Sequence, residues 1–367
     1  MKLAHIHIVQ FKNHQNTQLS FNNDIVCFTG LNGMGKTNLL DSIFYLSTGK
    51  SAFTNIDSQN ILKGHKYFTI DGTFSVETKA DQIFCGFTQG RKKVLKNNNV
   101  EYEKLIHHYG QYPVVMVAPT DLALVTEGSE ERRKFIDSSI SIFNKTYLSQ
   151  LVKYNQVLQQ RNSLLKHAKE NAKLNLPLLQ IYNSQIEEYA NVIYPIRKSF
   201  IKDLEPIFNA FVNEINNNQE QLELDFTSQL DHKKLSDLFD ENFDRERILG
   251  RTECGIHKDK LNFKINGELL KKFGSQGQQK SYVLAIKLAQ AKLTEIKTGK
   301  KSILLLDDLF DRLDDQRAAK LLELAHKTFQ QLFITDTSKL RLQKALQNAN
   351  KQAQFFNVEN GEVNGEE

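Results

Sequence analysis

The chain has 367 residues, 40% of them hydrophobic and 25% charged, with 48 Lys plus Arg against 43 Asp plus Glu and a formal net charge of +5. That is too apolar for a disordered chain, and the length suits two or three domains, or one large domain with an insertion. The small positive charge permits a polyanionic partner without demanding one. Cys27, Cys85 and Cys254 are far apart and form no CxxC pair, which argues against a thiolate zinc site and a disulfide framework. The N-terminus lacks a signal-peptide layout and no run of ~18 apolar residues exists, so the expectation is a cytoplasmic protein with no membrane contact.

In chain order, residues 5–11 and 18–21 read as strands, and Ile25–Thr29 is the short apolar run of a buried strand. Residues 30–36 break the pattern, after which Leu39, Leu40, Ile43, Phe44 and Leu46 recur at helical spacing. Partial alternation over 68–94, with the turn-prone Asn97-Asn98-Asn99, predicts a β meander, and Val114–Val117 another buried strand. From Glu130 to about Asn217 the pattern is helical. Pro177, Pro195 and Pro206 punctuate it and predict short helices rather than one long coiled coil, with a loop at Asn216-Asn217-Asn218. Strand-like character is expected to return after about Asp225 and to end at Ile303–Leu306, and residues 359–367 read as a frayed acidic tail.

Three motifs carry chemistry. Gly30-Leu31-Asn32-Gly33-Met34-Gly35-Lys36-Thr37 matches G-x-x-x-x-G-K-[ST]. In such a loop backbone N–H groups cradle phosphate oxygens, Lys36 neutralises β/γ charge, Thr37 ligates Mg²⁺, and the helix start adds its positive end. The apolar run Ile303-Leu304-Leu305-Leu306 delivers Asp307 and Asp308 to the end of a strand. Asp307 is placed to reach the Mg²⁺ shell and Asp308 to polarise an attacking water; read alone, the pair is a solvated turn after a buried strand. Ser275-Gln276-Gly277-Gln278-Gln279-Lys280 precedes a helical stretch. By itself it is a capped helix after a turn; as a second anion-binding helix start it would serve a partner's γ-phosphate. Arg91, Lys92, Lys93, Lys96 and Lys104, against Glu101 and Glu103, offer a hairpin for DNA phosphates, or merely a solvated turn. No helix-turn-helix or finger pattern favours sequence-specific reading.

Together these motifs resemble the ATP-binding-cassette ATPases, with Asp314 where that superfamily has its D-loop; the superfamily's switch histidine has no clear match, and Ile334-Thr335-Asp336-Thr337 occupies its expected place. The run from Gly30 through Asn38 to Asp41, then Tyr45-Leu46-Ser47-Thr48-Gly49-Lys50-Ser51, is similar to the RecF family. So are Arg132-Arg133-Lys134-Phe135-Ile136-Asp137, Gln160-Arg161-Asn162 and Gly255-Ile256-His257-Lys258-Asp259. Lys258 departs from that family's usual arginine and loses the planar fork.

The resemblance implies an α/β ABC-ATPase head with a mixed sheet, an inserted helical lobe and no long coiled coil. It divides the chain into head segments 1–129 and 225–358, a lobe 130–224 and the tail 359–367. It implies ATP and Mg²⁺ at Gly30 to Asn38 and at Asp307, catalysis by Lys36 and Asp308, and Ser275, Gln276, Gly277 and Gln278 acting on a partner's nucleotide. It further implies an ATP-dependent homodimer that hydrolyses ATP slowly and binds duplex DNA and single-strand/double-strand junctions. RecR and RecO are the implied partners in loading recombinase, with a part in SOS induction. A transporter or nuclease-linked ABC ATPase is the alternative, the former usually with glutamate where Asp308 stands.

Overall fold

The computed structural model describes residues 1–76, 79–171, 173–216, 222–309 and 315–366. The chain forms two compact units. The first is Met1–Asp121, Glu214–Asn217 and Ser281–Glu367; the second is Leu122–Asn213 and Asn218–Lys280.

The strands are β1 (Lys2–Phe11), β2 (His14–Ser20), β3 (Ile25–Thr29), β4 (Tyr67–Val76), β5 (Lys79–Thr88), β6 (Val94–Asn97), β7 (Val100–Glu101), β8 (Val114–Val117), β9 (Leu222–Thr227), β10 (Lys260–Ile265), β11 (Glu268–Leu269), β12 (Ile303–Leu306), β13 (Gln331–Asp336), β14 (Gln354–Glu359) and β15 (Glu362–Glu366). The helices are α1 (Lys36–Thr48), α2 (Ala123–Thr126), α3 (Ser129–Phe143), α4 (Lys145–Asn171), α5 (Leu176–Asn216), α6 (Leu235–Leu249), α7 (Leu270–Phe273), α8 (Gln276–Thr298), α9 (Asp315–Thr328) and α10 (Lys339–Asn348).

The first unit holds two six-stranded sheets. One is the antiparallel β2-β1-β4-β5-β6-β7, which contains the expected meander; the other runs β15-β14-β3-β13-β12-β8. In the second sheet β14, β3, β13, β12 and β8 are parallel and only β15 is antiparallel. Strands covered on both faces read as continuous apolar runs. Accordingly every residue of β3, β8, β12 and β13 is buried. Helix α1 touches β1, β4 and β5 of one sheet and β8 and β13 of the other, burying Leu39, Leu40, Ile43 and Leu46 between them.

The acidic end is not frayed: β15 pairs with β14 throughout its length, from Glu359↔Glu362 to Phe355↔Glu366. Asn360 (φ 51°) and Gly361 (φ 85°) form the turn. Asn-Gly is the residue pair that a two-residue hairpin favours, because both positions need positive φ. That local signal outweighs the acidic composition.

The second unit corrects the helical expectation. Helix α4 has 27 residues and α5 has 41, with Pro195 and Pro206 inside the latter. An interior proline costs about 3 kcal/mol. Against it, α5 buries Leu179, Ile186, Ile193 and Phe200 two helical turns apart and then Ile201, Leu204, Phe208 and Val212 at three- and four-residue spacing, each worth about 1.5–3 kcal/mol. Strands do not simply return after residue 225 either. Between β9 and β10 lies α6, whose Leu235, Leu238 and Phe239 fall on one face. The unit extends to Lys280, past the lobe boundary at 224 drawn from the sequence. Of the expected loop at Asn216-Asn217-Asn218, Asn216 ends α5, and Asn217 and Asn218 lie outside the described residues.

Two buried arginines organise this unit. Arg161, on the apolar stripe of α4, meets Glu246 at 2.7 Å, Thr252 Oγ1 at 2.8 Å and Asn183 Oδ1 at 2.7 Å. Arg197 meets Asp137 at 2.7 Å and Asp259 at 2.8 Å and donates to the carbonyl of Ile256 at 2.6 Å. Burial opposes its charge, but the carboxylate of Asp137, the hydroxyl of Tyr147 and the carboxylate of Asp259 outweigh burial and raise its pKa. Lys258 reaches Glu253 at 3.2 Å.

Beside them His257 accepts or donates at 2.8 Å with the Tyr154 hydroxyl and at 3.3 Å with the carbonyl of Thr252. A neutral ring satisfies both: Nε2–H donates to Thr252 and Nδ1 accepts from Tyr154. Burial, with nearby Lys258, Arg133 and Arg161, lowers its pKa from 6.5 to about 4. Below pH 6.5 the unfolded chain therefore binds a proton that the folded chain refuses. The stability contributed by the neutral ring is whole above pH 6.5 and is lost as pH falls toward 4, by at most about 1.4 kcal/mol per pH unit. His257→Gln should flatten that part of the pH–stability curve relative to the unaltered protein; parallel curves in urea unfolding between pH 7 and 4 would refute it.

Candidate nucleotide-binding site

Strand β3 ends at Thr29 and α1 begins at Lys36, so the Gly-rich loop joins a central parallel strand to a helix at the carboxyl edge of the sheet. That edge is where open parallel sheets bind ligands. Gly30, Gly33 and Gly35 all have positive φ, and Gly35 caps α1 with no side-chain hydrogen bond. Helix-start N–H groups that no side chain occupies are anion donors. At Gly30 a Cβ would stand 2.2 Å from the carbonyl oxygen of Val358, so glycine is required there on packing as well as on φ. Lys36 is 5% exposed, and its Nζ crosses the loop to the carbonyls of Gly30 (2.8 Å) and Leu31 (3.0 Å).

The sheet register brings the second motif alongside. β13 lies between β3 and β12, with Ile334 opposite both Cys27 and Leu306. Thr37 and Asp307, 270 positions apart, thereby meet: Thr37 Oγ1 donates to Asp307 Oδ1 at 2.8 Å and lies 3.0 Å from Oδ2. Burial raises the pKa of Asp307; the hydroxyls of Thr37 and Thr335 oppose that rise, Asp308 adds to it and Lys36 opposes it. A buried carboxylate beside a hydroxyl is a hard oxygen pair, which suits Mg²⁺, an ion that takes few protein ligands and completes its shell with phosphate and water.

Thr335, which the sequence placed only near a missing switch histidine, proves central. Its hydroxyl donates to Asp307 Oδ1 at 2.8 Å and accepts the N–H of Asp308 at 3.0 Å. Asp308 has φ 47°, a left-handed conformation uncommon outside glycine though less so for Asp, so this one hydroxyl fixes both carboxylate-bearing residues. Thr335→Val keeps the shape and leaves the Asp308 N–H without its partner. The expected loss is about 1–3 kcal/mol of unfolding free energy in urea, with Thr335→Ser losing clearly less. Equal losses in the two variants would refute the assignment. Next to it, Asp336 accepts the N–H of Ser338 at 2.7 Å at the start of α10.

The other expected site residues are distributed differently. Asn38 commits its side chain to Asn13 Oδ1 at 2.7 Å, and Asn13 in turn donates to the carbonyl of Met34 at 3.0 Å. Ser275, Gln276, Gly277 and Gln278 lie in the second unit. There Ser275 Oγ accepts the N–H of Gln278 at 3.2 Å while Gln278 Oε1 accepts the N–H of Ser275 at 2.6 Å, a reciprocal cap on α8. Asp314 lies outside the described residues.

The basic hairpin is weaker than its composition suggested. Lys93 is turned inward to Asp57 (2.9 Å) and the carbonyl of Gly49 (2.6 Å), and Lys96 lies over the Phe84 ring. Arg91, Lys92 and Lys104 stay exposed, and so do Glu101 and Glu103. Among the described residues no helix is long and apolar enough to cross a membrane.

A phosphate loop and a strand-end aspartate at one edge of a parallel sheet define a P-loop nucleotide-binding head. Residues 5–246 match the AAA_23 family, an AAA domain. The fold is that of an SMC-type ABC-ATPase head: the chain is similar to the Smc head domain from Pyrococcus furiosus, with TM-score 0.57 at 15% identity over 99% of this chain and 95% of that one. A far closer likeness is to the recombination mediator protein RecF with ATP, in the RecFOR pathway: TM-score 0.88 and 30% identity over 100% of this chain and 97% of that one. The DNA replication and repair protein RecF of Flavobacterium johnsoniae is 42% identical over 98% of this chain and 100% of its own length, and that of Parabacteroides distasonis 39% over 99% of each. The chain belongs to the RecF family of DNA replication and repair proteins.

Proposed function

We propose that this protein is an ATP-controlled DNA clamp of recombinational repair. The observation that carries the reading is the meeting of Thr37 and Asp307 at the mouth of the Gly-rich loop. An end-to-end likeness to a relative solved with ATP supports it. In this reading, backbone N–H groups of residues 30–37 and the Lys36 ammonium bind the phosphates, and Thr37 with Asp307 holds Mg²⁺. The cation would neutralise phosphate charge; Asp308 orients and deprotonates water, giving slow hydrolysis. Ser275, Gln276, Gly277 and Gln278 meet the nucleotide of a second copy, with Asp314 in the D-loop, so ATP drives a homodimer. The dimer binds duplex DNA and single-strand/double-strand junctions without sequence preference. It works with RecR and RecO in the cytoplasm to load recombinase at gaps and stalled forks and to support SOS induction.

Sedimentation with and without ATP tests the shared site. Ser275→Arg should bind nucleotide as the unaltered protein does and yet remain a monomer, because a guanidinium side chain fills the space that a partner's phosphate must enter. Ser275→Ala is the control. It also loses the helix cap, at about 1 kcal/mol, but adds no bulk, and should still dimerise. A Ser275→Arg protein that dimerises at unaltered strength would show that Ser275 is a cap and nothing more.

A further inference from the structure

The phosphate loop is gripped from behind by two turns that lie at opposite ends of the chain, at Asn13-His14 and at Asn360-Gly361. His14 is fully buried; its Nε2 lies 3.1 Å from the carbonyl oxygen of Gly35 and its Nδ1 2.8 Å from that of Gly361. The carbonyl of Met34 accepts the N–H of Gly361 at 3.0 Å and Asn13 Nδ2 at 3.0 Å, and the N–H of Asn360 approaches Met34 Sδ at 3.3 Å. The fit leaves no slack: a Cβ at Gly361 (φ +85°) would stand 2.2 Å from the carbonyl oxygen of Asn13.

We propose that His14 and the Asn360-Gly361 turn form a latch that presets the phosphate loop, making the last hairpin of the chain part of the nucleotide site. The proposal rests on the nucleotide reading above. Its physical basis is the trans peptide, in which C=O and the following N–H point in opposite directions. Holding the carbonyls of Met34 and Gly35 outward, against Asn13, His14 and Gly361, turns the N–H groups of Gly35 and Lys36 toward the other side of the loop. A loop already in its binding shape loses less conformational freedom when an anion arrives. Burial holds the pKa of His14 below the ordinary imidazole value, against the pull of the Gly35 and Gly361 carbonyls. Both ring nitrogens lie within hydrogen-bond distance of a carbonyl, and the Thr17 hydroxyl is 3.4 Å from Nδ1. The Gly361-to-Met34 bond is a backbone contact that does not involve the ring. His14 is thus a positioning residue, not one that touches phosphate.

The test uses His14→Ala, His14→Gln, Gly361→Ala and the His14→Ala/Gly361→Ala pair in the full chain. Fluorescent ATP titration gives affinity, and amide hydrogen exchange at residues 33–37 is read without nucleotide. Each alanine variant should weaken ATP binding about tenfold and speed exchange at Gly35 and Lys36. The pair should bind about as weakly as the worse single variant, because both changes open the same latch. His14→Gln, which retains a donor, should recover part of the affinity. Effects that multiply in the pair, or alanine variants with unaltered affinity, overturn the latch. If His14→Ala does not fold, Gly361→Ala and His14→Gln decide alone. If the unaltered protein itself binds no ATP, the nucleotide reading fails, and loop exchange still decides the latch: unchanged exchange in the variants overturns it, faster exchange supports it.

Discussion

Lys36→Ala is expected to abolish ATP binding at micromolar protein, with affinity falling at least about a hundredfold. Lys36 is 5% exposed, and its ammonium lies across the loop within 3.0 Å of two of the loop's carbonyls. Phosphate oxygens entering the same concavity would exchange those neutral partners for charged ones. A charge-assisted hydrogen bond contributes about 1.5–3 kcal/mol, and more in a partly dry site, so two such contacts account for the loss. Alanine also frees the loop from the Gly30 and Leu31 tethers, which adds an ordering cost to any residual binding. Fluorescent ATP titration measures it. Retained affinity in a folded Lys36→Ala protein would move the nucleotide elsewhere.

The largest effect on stability is expected at Arg161. Arg161 and Glu246 are each about 1% exposed at the side chain and meet at 2.7 Å; the guanidinium also lies 4.4 Å from the Phe239 ring centroid. Glu246 further accepts the N–H of Glu253 at 2.8 Å. Arg161→Ala leaves that carboxylate buried without its counter-charge and opens a cavity on the α4 stripe. Breaking one partner of a buried pair costs about 3–5 kcal/mol. Replacing both, Arg161→Met with Glu246→Leu, removes the two charges together and should cost much less than the single change. Urea unfolding of the second unit distinguishes the cases. If the double variant is as unstable as Arg161→Ala, packing rather than the uncompensated charge is responsible.

Much of the nucleotide site is legible along the chain because its parts are local. A Gly-rich loop between an apolar strand and a helix needs only residues 25 to 46, and glycine, lysine and threonine at fixed spacing are required by the backbone and the chemistry alone. The strand Ile303–Leu306 is equally plain, since a fully covered parallel strand must be apolar throughout. The α5 prolines misled, because a local rule about one missing N–H says nothing of the apolar stripe that holds the helix regardless. The tail misled for the opposite reason. Its Asn360-Gly361 turn signal is local and strong, but the acidic residues around it suggested disorder.

Read locally, the chain points to the class of ligand and to candidate carriers of its chemistry: a loop shaped for phosphate, a lysine and a threonine at its helix end, and two aspartates at the end of a buried strand. The distant groups that join them follow from sheet order and register. Sheet order sets β13 between β3 and β12, and so makes Thr335 the residue that pins Asp307 and Asp308. The pairing of β14 with β3 carries Gly361 to Met34 and His14. The Gly361 contacts join residues more than 300 positions apart through strand register, and register is decided by which buried faces match across the whole sheet, a property no short stretch of chain contains.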